Sequence, residues 1–389
     1  VRVPLRGRPE GTEVPLSEDD YDFLMTGRRT GRIVHYPSSV FFARGTELIR
    51  NRWGSRRFTP YDGVFESAEA LAGVDAAMAA GGWNLSATAL QSWANCPFAF
   101  LVEKMIGVES VEEPEKQLTI DHLQRGTLTH LVLERLYGEL SGMRVFPLTA
   151  LTLSAALERA EAVTRETLDE FEAAEPTGHP LFWEYERGTI AASVRELLEE
   201  EASEESGDMP TLFEAWFGGR GPGEAVTFDA GGRTLSFHGK IDRVDVSEDG
   251  GFTVIDYKTG SIPARDQDLG GGSYLQLPVY LLAASKLLGM PVERGRAMLR
   301  KVGTGGGRRR AVFSGRSWDT GREEFAAILE VIVGGMVSGL FFASVPGAMC
   351  GYCGAGRACP TGTAYLFAEK SSRDDRARDY LEMRGLNGE

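Results

Sequence analysis

The sequence predicts an α/β protein in which a mixed central sheet is flanked by helices. Between about residues 86 and 205, apolar residues recur mostly at helical spacing. Between residues 211 and 257 they alternate or form β-branched and aromatic runs separated by glycine turns. Helical spacing then returns. Helices on both sides of a run of strands are typical of a layered α/β domain.

The helices of the first half carry local start and spacing signals. Ser86 is a favourable N-cap residue for a helix that runs through Trp93. The segment 124–137 places its leucines and valine at helical spacing, and two further helices are predicted at 153–174 and 189–205.

The middle of the chain is predicted to form a meander of strands. Glycine-rich turns separate four β-rich segments, at residues 211–217, 225–229, 234–246 and 251–257. The second half then continues with a helix at 274–288, a strand at 297–302 and a helix at 321–338.

These elements suggest one main domain between two flanking segments. Residues 1–80 are arginine-rich and irregular, and we interpret them as a linker or the end of an upstream domain. Residues 81–365 form the predicted domain, with a helical insertion at about 140–205, and residues 366–389 form a C-terminal tail.

Composition restricts the class of protein. The 389 residues are 42% hydrophobic and 25% charged, and no apolar run approaches the roughly 18 residues of a membrane helix. The chain begins at Val1 without a signal-peptide pattern, so we interpret it as a piece of a longer cytoplasmic protein with no membrane contact.

The net charge of −14 disfavours a polyanionic partner only if the charge is spread evenly. It is not. The segment from Glu196 to Asp208 contains seven acids and no base, which predicts a solvated helix face and a loop. Arg308, Arg309 and Arg310 form a basic cluster whose simplest explanation is ordinary surface. Local charge, not net charge, decides binding.

Two carboxylates lie on consecutive predicted strands. Asp242 belongs to G-K-I-D-R-V-D (239–245) and Asp256 to V-I-D-Y-K-T-G (254–260), with a glycine-rich turn between them. In a hairpin these side chains can lie opposite each other, within roughly 5–8 Å. Two such carboxylates repel unless a cation lies between them, and Mg²⁺ suits oxygen ligands of this kind.

Lys258 shares a strand face with Asp256, because side chains at i and i+2 point the same way. Its ammonium can orient or help to deprotonate a water molecule for attack on a phosphate. The backbone carbonyl of Tyr257 stays close to the same site. The alternative is a surface salt bridge, since a D-x-K triplet alone is a weak signal.

Four other residues are candidates for the same site. His130 lies on the second predicted helix, Gln276 and Tyr280 share one face of a later helix, and Glu214 lies in the first strand as a possible further ligand. Each also has a structural interpretation, such as core packing for His130 and Tyr280 or a helix cap for Gln276.

The four cysteines form a second candidate metal site. Cys350, Cys353 and Cys359 form a C-x2-C-x5-C group, and Cys96 is the remaining cysteine. Four thiolates can hold zinc or a 4Fe–4S cluster, and the spacing does not choose between them. Disulfides are the alternative for a secreted protein.

The motifs G-T-x-x-H (126–130), G-K-I-D-R-V-D, D-Y-K-T-G and Q-L-P-V-Y (276–280) occur in an order that resembles the PD-(D/E)XK nucleases of the RecB type. Cys96-Pro97-Phe98 with the C-terminal cysteine group is similar to the iron–sulfur nuclease domain of AddB-type helicase–nuclease subunits. The resemblance covers about residues 84–365 and implies a restriction-endonuclease-like core with an iron–sulfur staple.

The resemblance also implies roles for the candidate residues. His130, Asp242, Asp256 and the Tyr257 carbonyl would bind Mg²⁺ or Mn²⁺, and Lys258 would be the catalytic base or water-orienting group. Gln276 and Tyr280 would support the site. The four cysteines would hold a 4Fe–4S cluster that joins the two ends of the domain.

The function implied is hydrolysis of DNA, as an exonuclease on single-stranded ends in double-strand break repair and recombination. The sequence contains no G-x4-G-K-[ST] phosphate loop, so a helicase motor is expected in the same longer chain or in a partner subunit. The alternatives are an inactive DNA-binding scaffold with an iron–sulfur clamp, a CRISPR-adaptation-type nuclease, and a zinc-stapled enzyme acting on another phosphodiester.

Overall fold

The structure is a computed structural model, and it describes residues 40–81, 83–108, 118–204, 206–219, 225–304, 306–344, 350–351, 353–359 and 362–386. Residues 1–39 of the predicted leading segment therefore lie outside the described residues. No helix in the described ranges is both long and apolar enough to cross a bilayer.

Helices make up most of the described chain. In order they are α1 Val40–Gly54, α2 Ala68–Ala80, α3 Ala87–Asn95, α4 Pro97–Phe100, α5 His122–Met143, α6 Leu153–Ala174, α7 Pro180–Glu204, α8 Gln276–Leu288, α9 Trp318–Val337, α10 Thr363–Ser371 and α11 Arg378–Met383. The predicted cap at Ser86 is confirmed, because its side chain accepts a hydrogen bond from Ala89 N at the start of α3. The predicted helix 153–174 is α6, whereas α7 begins nine residues before the predicted 189.

The strands form two sheets. They are β1 Asn84–Leu85, β2 Met209–Phe217, β3 Val226–Ala230, β4 Arg233–Phe237, β5 Gly239–Val246, β6 Phe252–Lys258, β7 Gly295–Lys301 and β8 Arg310–Ser314. The central sheet has the order β2-β5-β6-β7-β8, and a smaller sheet has the order β1-β4-β3. Because β6 and β7 are parallel and the other central pairs are antiparallel, the predicted mixed sheet is confirmed.

The prediction of one continuous meander was wrong at His238. The segment predicted as a single strand, 234–246, is divided between β4 in the small sheet and β5 in the central sheet. The backbone explains the change. Here β4 pairs in parallel with β1, and His238 N donates to Leu85 O at 3.3 Å. The strand β8 was not predicted, because its first residue belongs to the arginine cluster.

The central sheet is buried on both faces, and alternate residues of β6 enter different cores. Val254 packs in the cluster that contains Trp93 of α3, Leu281 of α8 and Ile332 of α9. Ile255 lies in the opposite cluster, which includes apolar residues of α5, α6 and α7. The long helices α6 and α7 of the predicted insertion therefore cover one face of the sheet. The strand that carries Asp256 lies at the centre of the domain.

Both chain segments outside the predicted domain pack on its main core. Phe58 stacks on Phe342 with ring centroids 4.7 Å apart, and Tyr380 meets Phe342 edge to face at 5.2 Å. The buried Lys370 ammonium lies 2.7 Å from Asp62 Oδ2. The described parts of residues 1–80 and 366–389 therefore contribute to the same core as residues 81–365. The domain division itself stays a prediction.

A buried ion network joins α7 to the central sheet. The Arg243 guanidinium donates to Glu201 Oε1 at 3.0 Å, to both Asp245 carboxylate oxygens at 2.6 Å and to Tyr257 Oη at 3.0 Å. Its carbon Cζ lies 4.5 Å from the centroid of the Tyr137 ring. Because every member is buried, the charges depend on one another and not on water.

The network corrects the interpretation of two charged segments. The acidic stretch is not simply a solvated face, because Glu201 is buried and Glu204 Oε1 accepts from Arg300 Nη2 at 2.8 Å. The arginine cluster is not simply surface either. Arg309 lies 2.8 Å from Glu200, and Arg310 lies 3.2 Å from Glu204. The two segments pair with each other when the chain folds.

Substitution of Arg243 tests the importance of this network. Arg243→Ala is expected to lower the free energy of unfolding by about 3–5 kcal/mol, because Glu201 and Asp245 would remain buried without their cation. The measurement is chemical denaturation followed by circular dichroism. Arg373→Ala is the control, since its pair with Glu369 is exposed and should contribute less than about 1 kcal/mol. Equal losses in the two variants would contradict the prediction.

Candidate active site

Three ligand-type side chains, one each from α5, β2 and β5, meet in one place. One ligand atom from each of His130, Glu214 and Asp242 lies within 4.8 Å of the other two. His130 Nδ1 lies 3.3 Å from Asp242 Oδ2. Among the described residues this is the one such group of histidine, cysteine, aspartate or glutamate side chains. The structure therefore brings together two of the predicted ligands and the residue that the sequence offered only as a possible ligand.

The backbone explains why Glu214 joins the group. In the antiparallel pair of β2 and β5, Phe213 lies opposite Arg243 and Ala215 lies opposite Ile241, so Glu214 faces Asp242. Glu214 also has a φ of 47°, in the left-handed region that non-glycine residues rarely adopt. Such an exception often occurs at functional sites. A regular alternation pattern does not reveal it.

Asp242 and Asp256 lie on neighbouring strands, as the hairpin predicted. The ladder between β5 and β6 ends at the pair Arg243 and Ile255. Beyond that pair, Tyr257 N donates to Asp242 Oδ2 at 2.8 Å. A side-chain carboxylate on β5 thus accepts the hydrogen bond that a backbone carbonyl accepts in a regular ladder. This bond holds the carboxylate beside the backbone of Tyr257, which was predicted to contribute its carbonyl oxygen.

Asp256 and Lys258 form a close pair on β6. Lys258 Nζ lies 2.6 Å from Asp256 Oδ2, and the Asp256 side chain is 5% exposed. Burial raises the pKa of Asp256, the Lys258 ammonium opposes that rise, and the charge of Asp242 adds to it. Asp256 is therefore turned towards its lysine, and its oxygens do not belong to the group formed by His130, Glu214 and Asp242.

Two buried oxygens at the site lack a hydrogen bond. Asp256 Oδ2 and Glu214 Oε2 each approach an ammonium, of Lys258 and of Lys240 respectively, yet neither makes a hydrogen bond of normal geometry. The ammonium is therefore the one close partner of each of these oxygens among the described residues, and the remaining lone pairs are free to accept from water or bind an ion. Carboxylate oxygens and one imidazole fit a divalent cation such as Mg²⁺ or Mn²⁺.

The electrostatics of the group also favour a cation. Burial by itself would lower the pKa of His130, but the hydrogen bond and the charge of Asp242, together with Asp256, raise it. Burial raises the pKa of Glu214, and Lys240 opposes that rise. The carboxylates thus repel one another in a poorly solvated place, which a bound cation would relieve.

The pair Gln276 and Tyr280 lies beside the carboxylates. Gln276 is the first residue of α8, and its Nε2 lies 3.4 Å from Tyr280 Oη. Burial raises the pKa of Tyr280, and the charges of Asp256 and Asp242 raise it further, so the phenol keeps its proton. Both side chains can therefore donate hydrogen bonds to an anion at the site.

Two further residues belong to the site and were not predicted. Gln91 of α3 accepts a hydrogen bond from Gln276 N at 3.0 Å, and it lines a pocket of about 160 Å³ together with Lys258 and Gln276. Lys240 pairs with Glu214. The i, i+2 relation of Lys240 to Asp242 was a usable signal. Nothing in the sequence connects Gln91 to the site.

The cysteines come from the two ends predicted to meet. Ser344 Oγ donates to Asn95 O at 3.0 Å, next to Cys96. Burial raises the pKa of Cys96, and a neighbouring charge on Cys353 contributes to the rise. Burial also raises the pKa of Cys353, to which Cys350 and Cys359 contribute. The contact at Asn95 and Ser344 thus brings the residue before Cys96 close to the chain segment that precedes the other three cysteines.

The sulfur atoms do not form a compact ligand set in the part of the chain that the structure describes. No three of them lie within 4.8 Å of one another. Tetrahedral zinc with bonds of about 2.3 Å would bring four sulfurs to separations of about 3.8 Å. The described sulfurs are therefore not clustered. The iron–sulfur cluster itself stays a prediction.

Comparison with known proteins places this geometry in a family. Residues 84–360 match the family model described as the PD-(D/E)XK nuclease superfamily. The chain is also 28% identical over 210 residues to a subunit of the ATP-dependent helicase/deoxyribonuclease of Carboxydothermus hydrogenoformans. That match covers 52% of this chain and 18% of the relative.

A second relative matches over a longer range. The chain is 27% identical over 318 residues to the corresponding ATP-dependent helicase/deoxyribonuclease subunit of Moorella thermoacetica, covering 74% of this chain and 26% of the relative. The chain therefore spans about a quarter or less of these relatives.

The matched range contains both strands of the carboxylate hairpin, the helix of His130 and the helix of Gln276 and Tyr280. It covers more than half of the chain. The predicted restriction-endonuclease-like fold is confirmed, and the chain belongs to the PD-(D/E)XK nuclease superfamily.

Proposed function

We propose that this chain is a deoxyribonuclease that hydrolyses phosphodiester bonds with the help of Mg²⁺ or Mn²⁺. The observation that carries the proposal is the grouping of His130, Glu214 and Asp242 beside the buried pair Asp256 and Lys258. Such a group concentrates negative charge in a poorly solvated place, next to an ammonium that can contact a phosphate. Membership of the nuclease superfamily supports the same assignment.

The residues divide into cation ligands and groups that act on the phosphate. His130, Glu214 and Asp242 would hold the cation, with Asp256 and the Tyr257 carbonyl completing its coordination. When bound, the cation would polarise a phosphate oxygen and lower the pKa of a coordinated water molecule. Asp256 holds Lys258 Nζ in place, and this ammonium orients the attacking water and offsets charge that develops on the phosphate.

Gln276 and Tyr280 would position the phosphate. The raised pKa of Tyr280 keeps its hydroxyl protonated, so it can donate to a non-bridging oxygen. Gln91 accepts a hydrogen bond from the Gln276 N–H and so fixes the position of the start of α8. It thereby helps to position the donor side chains of Gln276 and Tyr280. Positioning of this kind contributes strongly to phosphoryl transfer, in which the protein makes few covalent bonds.

The relatives suggest the setting of the reaction. Their name contains both ATP-dependent helicase and deoxyribonuclease, so it joins a motor to a DNA-cutting activity. We infer that this chain works on single-stranded ends, as an exonuclease, in the processing of double-strand breaks for recombination. The motor would lie in the same longer chain or in a partner subunit, and the complex would act in the cytoplasm on chromosomal DNA.

We also propose that Cys96, Cys350, Cys353 and Cys359 hold a 4Fe–4S cluster. The contact between Asn95 and Ser344 supports the proposal, because it brings the residue before Cys96 close to the chain segment that precedes the other three cysteines. The cluster would join the end of α3 to the C-terminal segment and stabilise the fold, as bound metal does when its ligands come from distant parts of a chain. A role in electron transfer is not required.

The first prediction of the proposed function concerns the paired residues of β6, Asp256 and Lys258. Asp256→Ala and Lys258→Ala are each expected to reduce kcat on linear single-stranded DNA by at least about a hundredfold, because each removes charge stabilisation at the phosphate. The measurement is release of labelled nucleotides with Mg²⁺ present. Circular single-stranded DNA is expected to resist the wild-type chain if an end is required.

The matched control lies at the other end of the same hairpin. Glu248 is exposed near the turn between β5 and β6, so Glu248→Ala should cut at the wild-type rate. If Asp256→Ala and Lys258→Ala also retained the wild-type rate, the assignment of the active site would be wrong. Rapid cutting of circular single-stranded DNA would exclude the exonuclease mode but leave the nuclease assignment unchanged.

A second prediction concerns the cation. Chelation with EDTA should abolish cutting, and Mg²⁺ or Mn²⁺ should restore it. Glu214→Gln keeps the shape of the side chain but removes its charge, and it should weaken Mn²⁺ binding by about tenfold or more in calorimetric titration. Unchanged Mn²⁺ affinity in Glu214→Gln, with a clear loss in Asp242→Asn, would remove Glu214 from the ligand set.

A third prediction concerns the cysteines. The chain purified without oxygen should be brown with broad visible absorbance and contain about four iron atoms, as a 4Fe–4S cluster requires. Cys353→Ser should lose the colour and lower the melting temperature by roughly 5 °C or more. A colourless wild-type chain that contains one zinc ion would contradict the iron–sulfur cluster and assign zinc to the four thiolates instead. An unchanged spectrum and melting temperature in Cys353→Ser would exclude Cys353 as a ligand.

A further inference from the structure

An exposed tryptophan lies at the rim of the candidate active site. Trp216 is 54% exposed and lies on β2, which is the terminal strand of the central sheet among the described residues. It follows Glu214 by two positions and lies directly opposite Lys240 of β5. The tryptophans at 83, 93, 183 and 318 are instead buried.

Lys240 connects this ring to the carboxylates. Its Nζ lies 5.8 Å from the centroid of the Trp216 ring, and the same ammonium pairs with Glu214 Oε2. Glu214 in turn lies within 4.8 Å of ligand atoms of His130 and Asp242. An exposed aromatic face, a cation and the candidate metal ligands therefore form a continuous row from solvent into the site.

The chemistry of this row fits a nucleic acid strand. Base-on-aromatic stacking is the usual means by which proteins hold single strands without reading their sequence. An ammonium beside the ring has three donors, so it can hold both Glu214 and a backbone phosphate. The site is otherwise rich in acids, and Lys240 and Trp216 supply the attraction that the carboxylates lack.

We propose that Trp216 stacks on an unpaired base of the DNA strand next to the scissile phosphate, and that Lys240 contacts the adjoining phosphate. The base must be unpaired, because both faces of a base within a duplex are already covered by its neighbours. This inference rests on the proposed nuclease function and deepens it, since it makes Trp216 a positioning residue that selects single-stranded substrate.

Binding without cutting tests the inference separately. The full chain with Asp256→Asn, in EDTA, is titrated with fluorescein-labelled twelve-nucleotide oligothymidine and with a twelve-base-pair blunt duplex. Trp216→Leu should weaken oligothymidine binding by about tenfold, since one stacked base is lost. Trp216→Phe should retain much of the affinity, and duplex binding should change little in either variant.

A matched control is another exposed tryptophan. Trp53 is 52% exposed and stacks on Tyr365 with ring centroids 6.0 Å apart. Trp53→Leu should leave oligothymidine affinity unchanged. Quenching of tryptophan emission by oligothymidine should persist in Trp53→Leu and disappear in Trp216→Phe. Circular dichroism and the melting temperature verify that each variant is folded.

Steady-state cutting gives the second measurement. In the otherwise unaltered chain with Mg²⁺, Trp216→Leu should raise KM for single-stranded DNA by about tenfold and change kcat much less. Unchanged binding and unchanged KM in Trp216→Leu would overturn the inference. Equal losses for single strand and duplex would overturn the selection of unpaired bases.

Failure of the proposed function has a different signature. A wild-type chain that binds oligothymidine through Trp216 but never cuts DNA with Mg²⁺ or Mn²⁺ would retain the stacking site and lose the nuclease assignment. A chain that cuts single-stranded DNA equally well with and without Trp216 would retain the nuclease and lose the stacking site.

Discussion

A single buried arginine connects the two layers on which the candidate site depends. Arg243 follows Asp242 on β5, and it contacts Glu201 of α7, Asp245 of its own strand and the hydroxyl of Tyr257 on β6. Its neighbour in the chain, Asp242, and its contact on the next strand, Tyr257, are both residues of the candidate site. Burying these charges costs desolvation free energy, which is offset only while all the partners are present. The result is a defined position for Asp242 and Tyr257 relative to the helices α5 and α7.

On the other face of the same strands, negative charge is only partly offset. Glu214, Asp242 and Asp256 lie close together with little water. Glu214 and Asp256 each have one close ammonium, and Asp242 has His130 and the Tyr257 N–H. The ammoniums of Lys240 and Lys258 offset part of this charge. The arrangement is stable as a fold yet incomplete as a set of ligands, which is typical of sites that gain a cation or substrate during function.

Local sequence signals predicted the parts of the site that lie along one hairpin. Asp242, Asp256 and Lys258 follow from strand alternation and a glycine-rich turn, and Ser86 follows from capping chemistry. Glu214 was harder to place, because its position opposite Asp242 depends on the register between β2 and β5, which local sequence does not show. Glu201 pairs with Arg243, 42 residues away, and the arginine cluster pairs with acids more than a hundred residues away. No local pattern shows which of these charges will meet. The change of sheet at His238 likewise depends on β1, far back in the chain.

The short helix α3 has a consequence for how inactivation should be interpreted. Its middle residue Gln91 holds the start of α8, while its end leads directly into Cys96. About one and a half helical turns therefore separate Cys96 from Gln91, which lines the pocket beside Lys258. Under the proposed function, damage at Cys96 would disturb the helix that fixes Gln276 through Gln91, and would not alter the carboxylates directly. Oxidation of a cysteine and loss of a metal ligand would then look alike in an activity assay, although only the second removes a ligand from the candidate site.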